Sequence, residues 1–556
     1  MRASVIQLRC LSHPPPQPNF NSAFATTHAN PYNVRVKPKP AAPTDTSLAP
    51  GLRRYLYFTA AMTGAAIMIV EILGAKMLSP YLGTSHFVWT AQIAVTLVAL
   101  ACGYYAGGWL VDRAVKPGRI YAAIIIAGAY LALSIPFVDK VAYGFLHYDL
   151  AVGSLLSSAF LFFIPLSLLA MVGPFFIRVL TSSMSGVGGN IGRLSAISTM
   201  GSFIGTVLIG YLLIPFLPNS TTMYLTSLVL MLLSTAYFLI WGKSGKSTAP
   251  TVLVLLIAGA LGYSGLRAGT WQSTSSIELF RGNSNFGLLQ VLQQKDGPHR
   301  YYLNDYLTQN TYDTNLQQSI SMFTYMLHDL ARAYAPKTGD VLCIGMGIGI
   351  VPMSFAKDGA KVDVVEINPD VVPIAERFFN FDSSRLNLHL EDGRIFVNRS
   401  QKQYDAIILD AFLGDSCPSH LMTREAFAGM RRVLKPEGVL VINTFADPDL
   451  KEDFFSASLY KTLTNTFTSV RLHHGRNGNT LFVVSARPDL SILHPPTFDH
   501  VWSGCREQVK DAFATLREPN LDHGRVLTDD YNPVEFYDAA NRESLRRNLA
   551  LGAKMR

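Results

Sequence analysis

The stretch VLCIGMGIGIVPMSFAKDGAKVDVVEIN, residues 341–368, decides the fold of half the chain. An apolar run of strand length, VLCI, enters a turn carrying Gly345, Gly347 and Gly349. A helical segment follows, and a second apolar run ends on Glu366. This order is that of a Rossmann-type nucleoside site. The glycines let the backbone come close to a ligand, and a carboxylate ending the next strand can accept from both ribose hydroxyls. GxGxG alone is unspecific; here it follows a strand, precedes a helix, and has its acid about 17 residues beyond the last glycine. Val351 and Pro352 follow that glycine, so the pyrophosphate form GxGxxG is absent, which argues against NAD.

The α/β pattern continues downstream. NLHLEDGR places Asp392 at a strand end, and YDAIILDAF ends a strand on Asp410. Open α/β sheets hold their ligands at that carboxyl edge. MRRVLKPEGVLVINTF reads as helix, turn and strand. Upstream, 271–313 reads as a small β-rich segment (IELF, FGLLQVLQQ, a DGPHR turn, YYLND), and a helix follows at about 315–334. The expected organisation is an N-terminal tail (1–50), a helical membrane domain (51–270), the small β part (271–313) and the Rossmann-like domain (314–556).

The membrane assignment rests on composition. Hydrophobic residues are 49% and charged residues 15% of the 556, against roughly 25% charge in an ordinary soluble domain. The shortage lies at about 55–266. A span needs about 20 apolar residues, and candidates fall near 55–79, 87–111, 120–138, 152–177, 195–217, 221–241 and 250–266, about seven helices. Arg53, Arg54, Arg113, Lys116, Arg119, Arg178, Arg193, Lys243 and Lys246 cluster on one set of loops, whereas the opposite loops offer Lys140. The positive-inside rule puts the N-terminus in the cytoplasm. Seven spans would then place the C-terminal half outside. The 250–266 segment is short and holds Gly259, Gly262 and Gly265, so it is the one expected to fail, leaving an inner-membrane protein with a cytoplasmic catalytic half.

Glu71 and Lys76 fall within the first span; they read either as a polar site or conduit or as a pair near one end bonded to a neighbour. Gly201, Gly205 and Gly210 read as helix-packing positions. The net charge of +8 lies largely beside apolar segments, and no basic-aromatic interleaving suggests nucleic acid. The cysteines show no CxxC and no histidine at metal spacing, so neither a disulfide framework nor a metal site is expected. Residues 1–50, with no acid before Asp45, read as a disordered tail, a misassigned start or a transit peptide.

The strand-rich entry, GMGIG, VVEINPDVV, LEDGR and YDAIILDAF together resemble the polyamine aminopropyltransferases (spermidine synthases), including their membrane-fused bacterial relatives. The resemblance implies decarboxylated S-adenosylmethionine, or S-adenosylmethionine itself, as cofactor, with no metal. Gly345, Gly347 and Gly349 would line its tail, Glu366 hold the ribose and Asp392 the adenine amino group. Asp410 would be the catalytic acid that receives the amine, with Tyr325 beside it, and Gln309 in LNDYLTQ and Asp415 would bind substrate. The implied partners are a small amine or polyamine and the lipid bilayer, with a second copy of the chain left open. The family's glycine-turn aspartate is Ile348 here, and its DExxYxE acids are replaced in SMFTYML. The acid-rich tail Asp529, Asp530, Glu535 and Asp538 reads as turn chemistry or as a replacement for those acids. A methyl or alkyl transferase acting on a membrane-delivered substrate, and a non-catalytic polyamine or adenosyl-ligand transporter or sensor, are the competing readings.

Overall fold

The computed structural model describes residues 48–83, 86–145, 148–181, 187–242, 259, 275–412, 417–446, 453–475 and 478–534. Six of its helices are long and apolar enough to cross a membrane: α1 (Pro50–Leu82), α2 (His86–Arg113), α3 (Pro117–Phe145), α4 (Leu150–Leu180), α5 (Val187–Phe216) and α6 (Asn219–Trp241). The expected seventh span, 250–266, lies outside the described residues apart from Gly259, as does all of the expected tail before Leu48.

Backbone contact explains two of the three span glycines. A Cβ on Gly201 would stand 2.0 Å from the Ala61 carbonyl oxygen, and one on Gly205 would stand 2.6 Å from that of Ala65. Helices α1 and α5 therefore touch backbone to backbone, the usual route to tight association where lipid removes the hydrophobic drive. Gly210 has no atom within 4 Å of the same position, so packing does not explain it.

The soluble half holds two sheets. The first is an antiparallel meander of β1 (Ser276–Ser284), β2 (Gly287–Gln294), β3 (His299–Asn304), β4 (Leu307–Asp313) and β5 (Gln318–Ser319). Its last strand lies beyond residue 313, and the following helix α7 starts later than its sequence suggests, at Met322–Tyr334. The second sheet is built from β6 (Asp340–Ile344), helix α8 (Ile350–Lys357), β7 (Lys361–Glu366), α9 (Val371–Phe379), β8 (Asn387–Leu390), α10 (Gly393–Arg399), β9 (Tyr404–Leu409), α11 (Arg424–Arg432), β10 (Leu434–Phe445), α12 (Phe454–Thr464), β11 (Ser469–His474), β12 (Asn479–Ser485), α13 (Arg506–Ala514) and β13 (Leu516–Arg517). The strand order is β13-β11-β12-β10-β9-β6-β7-β8. Strands β8, β7, β6, β9 and β10 run parallel, and β12 closes antiparallel on β10.

Alternation along the central strands sorts their side chains to two covered faces. Val341, Cys343, Val364, Ala406, Ile408 and Val441 enter one core with α7, α8, α9 and α13. Leu342, Ile344, Val365, Ile407, Leu409 and Ile442 enter the other with α11 and α12. Both faces are buried, which is why these strands read as unbroken apolar runs. The expected fold class, a helical bundle followed by a small β part and a Rossmann-like domain, is the observed one.

The soluble half rests on one end of the bundle. Asn283 Nδ2 donates to the Leu217 carbonyl at 2.6 Å, and the Tyr306 ring stacks on Tyr81 with centroids 6.0 Å apart. Tyr81 also meets Tyr143 edge-on at 5.2 Å. These contacts fall at the cation-poor ends of α1, α3 and α5. Helix α6 finishes at the other end, where Trp241 lies 4.9 Å from Tyr55, next to Arg53 and Arg54.

A Gly201→Val change should destabilise the bundle by about 1–3 kcal/mol through overpacking. Thermal unfolding in detergent checks this, with Gly210→Ala as the control that should match the parent. Equal midpoints for all three chains would refute the α1–α5 contact.

Candidate functional site

Strand register assembles the site. Ile344 of β6 pairs with Val365 of β7 and with Leu409 of β9, and Leu409 pairs with Ile442 of β10. The next residue on each strand, Gly345, Glu366, Asp410 and Asn443, therefore emerges at one level of the carboxyl edge. All four line one cavity, open to solvent, which also meets Gly347, Asp392, His420 and, from the small sheet, Asn304, Gln309 and Asn310. The strand order turns between β6 and β9, the switch point at which open α/β sheets take ligands.

The glycine turn is forced by close approach. Gly345 has φ of +91°, and a Cβ there would fall 2.2 Å from the Asp410 carbonyl oxygen. Gly347 has φ of +53° with Asn310 Oδ1 2.9 Å from its Cβ position. Gly349 differs. It sits at the N-terminus of α8 with φ of +83°, and its Cβ would strike the Phe381 ring at 2.1 Å. It is absent from the residues that line the cavity, and its close neighbour is an aromatic ring.

Glu366 is buried, and both its oxygens already accept backbone hydrogen bonds, Oε2 from the Met346 N–H at 3.0 Å and Oε1 from the Asn368 N–H at 2.8 Å. These bonds tie the glycine turn to the end of β7. Burial raises its pKa against the opposing effect of those N–H groups. Asp392 caps α10, its Oδ1 accepting from Arg394 N at 2.9 Å and Ile395 N at 3.0 Å, while His420 Nε2 meets Oδ2 at 2.9 Å. Burial pushes the Asp392 pKa up, but the Ile395 N–H, His420 and the Arg394 N–H outweigh it, and the net shift is downward.

Asp410 reaches the cavity in a desolvated setting that raises its pKa to about 6, held back by a hydrogen bond from Asn443 Nδ2 to its Oδ1 at 2.9 Å. Asn443 Oδ1 in turn accepts from Asn479 Nδ2 at 3.1 Å. The Asn479–Asn443–Asp410 chain fixes the carboxylate, and neither asparagine was singled out from the sequence. The available signal was a polar residue inside the apolar strand VLVINTF.

The remaining expected residues separate. Gln309 lines the cavity. Tyr325 does not: its hydroxyl donates to the Ser319 carbonyl at 2.5 Å and its ring faces His500, so the structure does not bring it beside Asp410. Asp415 lies outside the described residues, as do Glu535 and Asp538. Asp529 is engaged by Arg394, with Nη1 donating to its Oδ1 at 2.7 Å, and by Thr423 Oγ1 at 2.7 Å, which braces α10. Ile348 is buried in the core rather than directed at the cavity.

Fold and site together define a Rossmann-like transferase half carried on a helical bundle. The spermine/spermidine synthase domain model matches residues 321–473. A polyamine aminopropyltransferase of Vibrio vulnificus is 36% identical over 227 residues, which are 38% of this chain and 75% of that relative. An N-terminal histidine N-methyltransferase of Emericella nidulans is 32% identical over 197 residues, 34% of this chain and 32% of the relative. Among solved structures, the spermidine synthase of Thermotoga maritima aligns with a TM-score of 0.35 at 20% identity, covering 43% of this chain and 84% of its own. The chain belongs to the polyamine aminopropyltransferase (spermidine synthase) family, and it is a transferase.

The raised Asp410 pKa has a consequence for stability. A carboxyl whose folded pKa lies above its ordinary 3.8 favours the fold while protonated and loses that contribution as pH rises from about 4 through about 6. A displacement from 3.8 to about 6 is worth at most about 3 kcal/mol. Asp410→Asn should therefore unfold at a higher temperature than the parent at pH 8, with no such gain at pH 4. A variant destabilised at both pH values would mean that the carboxylate is a structural cap.

Proposed function

We propose that the protein moves an aminopropyl group from decarboxylated S-adenosylmethionine to a small amine such as putrescine. The observation that carries this reading is the charge of the cavity. Among the described residues its lining holds three carboxylates, Glu366, Asp392 and Asp410, and no lysine or arginine. The decarboxylated cofactor brings a sulfonium and an ammonium, and the acceptor brings further ammonium groups. Such a cationic pair suits this lining, whereas intact S-adenosylmethionine would bring a carboxylate with no lysine or arginine among the described lining residues to meet it. In the proposed arrangement Glu366 holds the ribose, Asp392 the adenine edge, Gly345 and Gly347 admit the cofactor's backbone approach, and Gln309 contacts the acceptor.

The reaction needs little machinery. Asp410 takes a proton from the acceptor ammonium, freeing its lone pair. The amine then attacks the aminopropyl carbon bonded to sulfur. The C–S bond breaks with its electrons going to sulfur, which leaves as a neutral thioether without acid assistance. The cavity supplies aim and a base. A carboxylate of pKa about 6 is ionised at neutral pH and is a stronger base than an ordinary aspartate. With full-length protein in nanodiscs, calorimetry should show tighter binding of decarboxylated than of intact cofactor. Asp410→Asn should keep that affinity and lose about 10²–10⁴ in turnover. Preference for the intact cofactor would transfer the assignment to methyl transfer, and near-parental turnover in Asp410→Asn would remove its role as base.

We also infer the sidedness. The soluble half meets the bundle at the ends remote from the basic loops, which supports opposite sides of the membrane for the basic loops and the catalytic half. A helix of the 23 residues of α6 is about 35 Å long, and the chain leaves it at the basic end. Positive-inside then places the catalytic half on the non-cytoplasmic side, against the expectation drawn from its cofactor. Cysteines introduced as Lys116→Cys and Ser491→Cys, both exposed positions, should react oppositely with an impermeant thiol reagent in intact cells, the second labelling and the first not. Equal labelling of both would contradict the placement.

A further inference from the structure

We propose that His328, Asp329 and His500 form a binding site for a divalent metal ion of the zinc type, which clips the segment between β12 and α13 onto α7. The site stands apart from the cavity and is independent of the reading given to it. One ligand atom from each residue lies within 4.8 Å of the other two. Asp329 Oδ1 is 3.2 Å from His328 Nδ1 and 2.9 Å from His500 Nε2. Two nitrogens and an oxygen around a tetrahedral ion, each at about 2.0–2.1 Å, stand about 3.3 Å apart, so two of the three spacings need almost no adjustment. Two imidazoles and one carboxylate are the donor set of a borderline-soft divalent cation, and an oxygen-preferring calcium or magnesium ion would not select it.

Two further observations point to an ion. Asp329 is 2% exposed, yet its Oδ2 has no hydrogen-bond partner. A buried carboxylate oxygen without a donor is costly, and an ion on Oδ1 that leans toward Oδ2 in bidentate fashion would supply what Oδ2 lacks. The second observation is behind the ligand: His328 Nε2 donates to Asp358 Oδ2 at 2.9 Å, and that carboxylate also meets Arg332 Nη1 at 3.2 Å. An outer carboxylate on the far nitrogen is the usual support for a metal-bound imidazole, and an ion taken up here would replace the proton that Nδ1 shares with Asp329 Oδ1. Phe355 lies against the His328 ring at 4.8 Å and holds it in place. His500 is the half-exposed member, so an ion can enter from its side, with water completing the coordination. Helix α7 also carries Phe323, which lines the cavity, so the clip braces one wall of the site.

Full-length protein in detergent, stripped with chelator, should take up one equivalent of Co²⁺ with visible d–d absorption of a nitrogen–oxygen tetrahedral site. Zn²⁺ should displace it and raise the unfolding midpoint of the parent. His500→Ala should show neither effect while unfolding, in chelator, where the stripped parent does. His500→Cys should restore cobalt binding with an added thiolate-to-metal band in the near ultraviolet. A parent that gives no cobalt absorption overturns the site, and so does a His500→Ala chain that binds cobalt or responds to Zn²⁺ as the parent does.

Discussion

The pairing register of four parallel strands is the constraint on which the rest depends. Because Ile344, Val365, Leu409 and Ile442 stand level, the residues after them leave the sheet together. A one-residue slip in any strand would exchange its two faces, driving buried side chains toward the opposite core. The two apolar cores thus hold the register, and the register holds the site. Glu366 then holds the glycine turn through Oε2 and the residue after the β7 bend, Asn368, through Oε1, and the turn's close approach to Asp410 excludes any side chain at position 345. Stability and function share these atoms.

Placing a carboxylate at that edge has an energetic cost. Asp410 is ionised in a setting that resists ionisation, and the hydrogen bond from Asn443 returns part of what burial takes. The Asn479 amide behind it fixes which way the Asn443 amide faces. In the reaction proposed above, such a carboxylate is a stronger base than a solvent-exposed aspartate, with burial raising its basicity and the Asn443 hydrogen bond limiting the rise.

The unit from β6 to β7 was legible in the sequence because its signals are local: a doubly buried strand, glycines at positive φ, a helix and a terminal acid. Asp392 and Asp410 were legible as strand ends for the same reason. What was not legible required distant partners. Gly349 is glycine because Phe381 packs on it, and nothing in GMGIG announces that ring. Tyr325 lies on a helix whose rotation is set by packing against α13 and the central sheet, which turns its hydroxyl to Ser319. His420 and Asn443 enter through the fold of later strands, so their roles could not be read from spacing. The end of the bundle that carries the soluble half was hidden for a different reason. Loop charge was legible, but which end of the bundle the soluble half occupies depends on Asn283 and Tyr306 meeting Leu217 and Tyr81.

The central claim is that burial, moderated by Asn443, tunes Asp410 as the reaction's base. The pH dependence of turnover with decarboxylated cofactor and putrescine tests it most directly, measured for the parent and for Asn443→Leu. The parent's acid limb should have its midpoint near the Asp410 pKa of about 6. Without the asparagine hydrogen bond, which favours the ionised form, the Asn443→Leu midpoint should move to higher pH. A limb that keeps its midpoint in Asn443→Leu would contradict the assignment of Asp410.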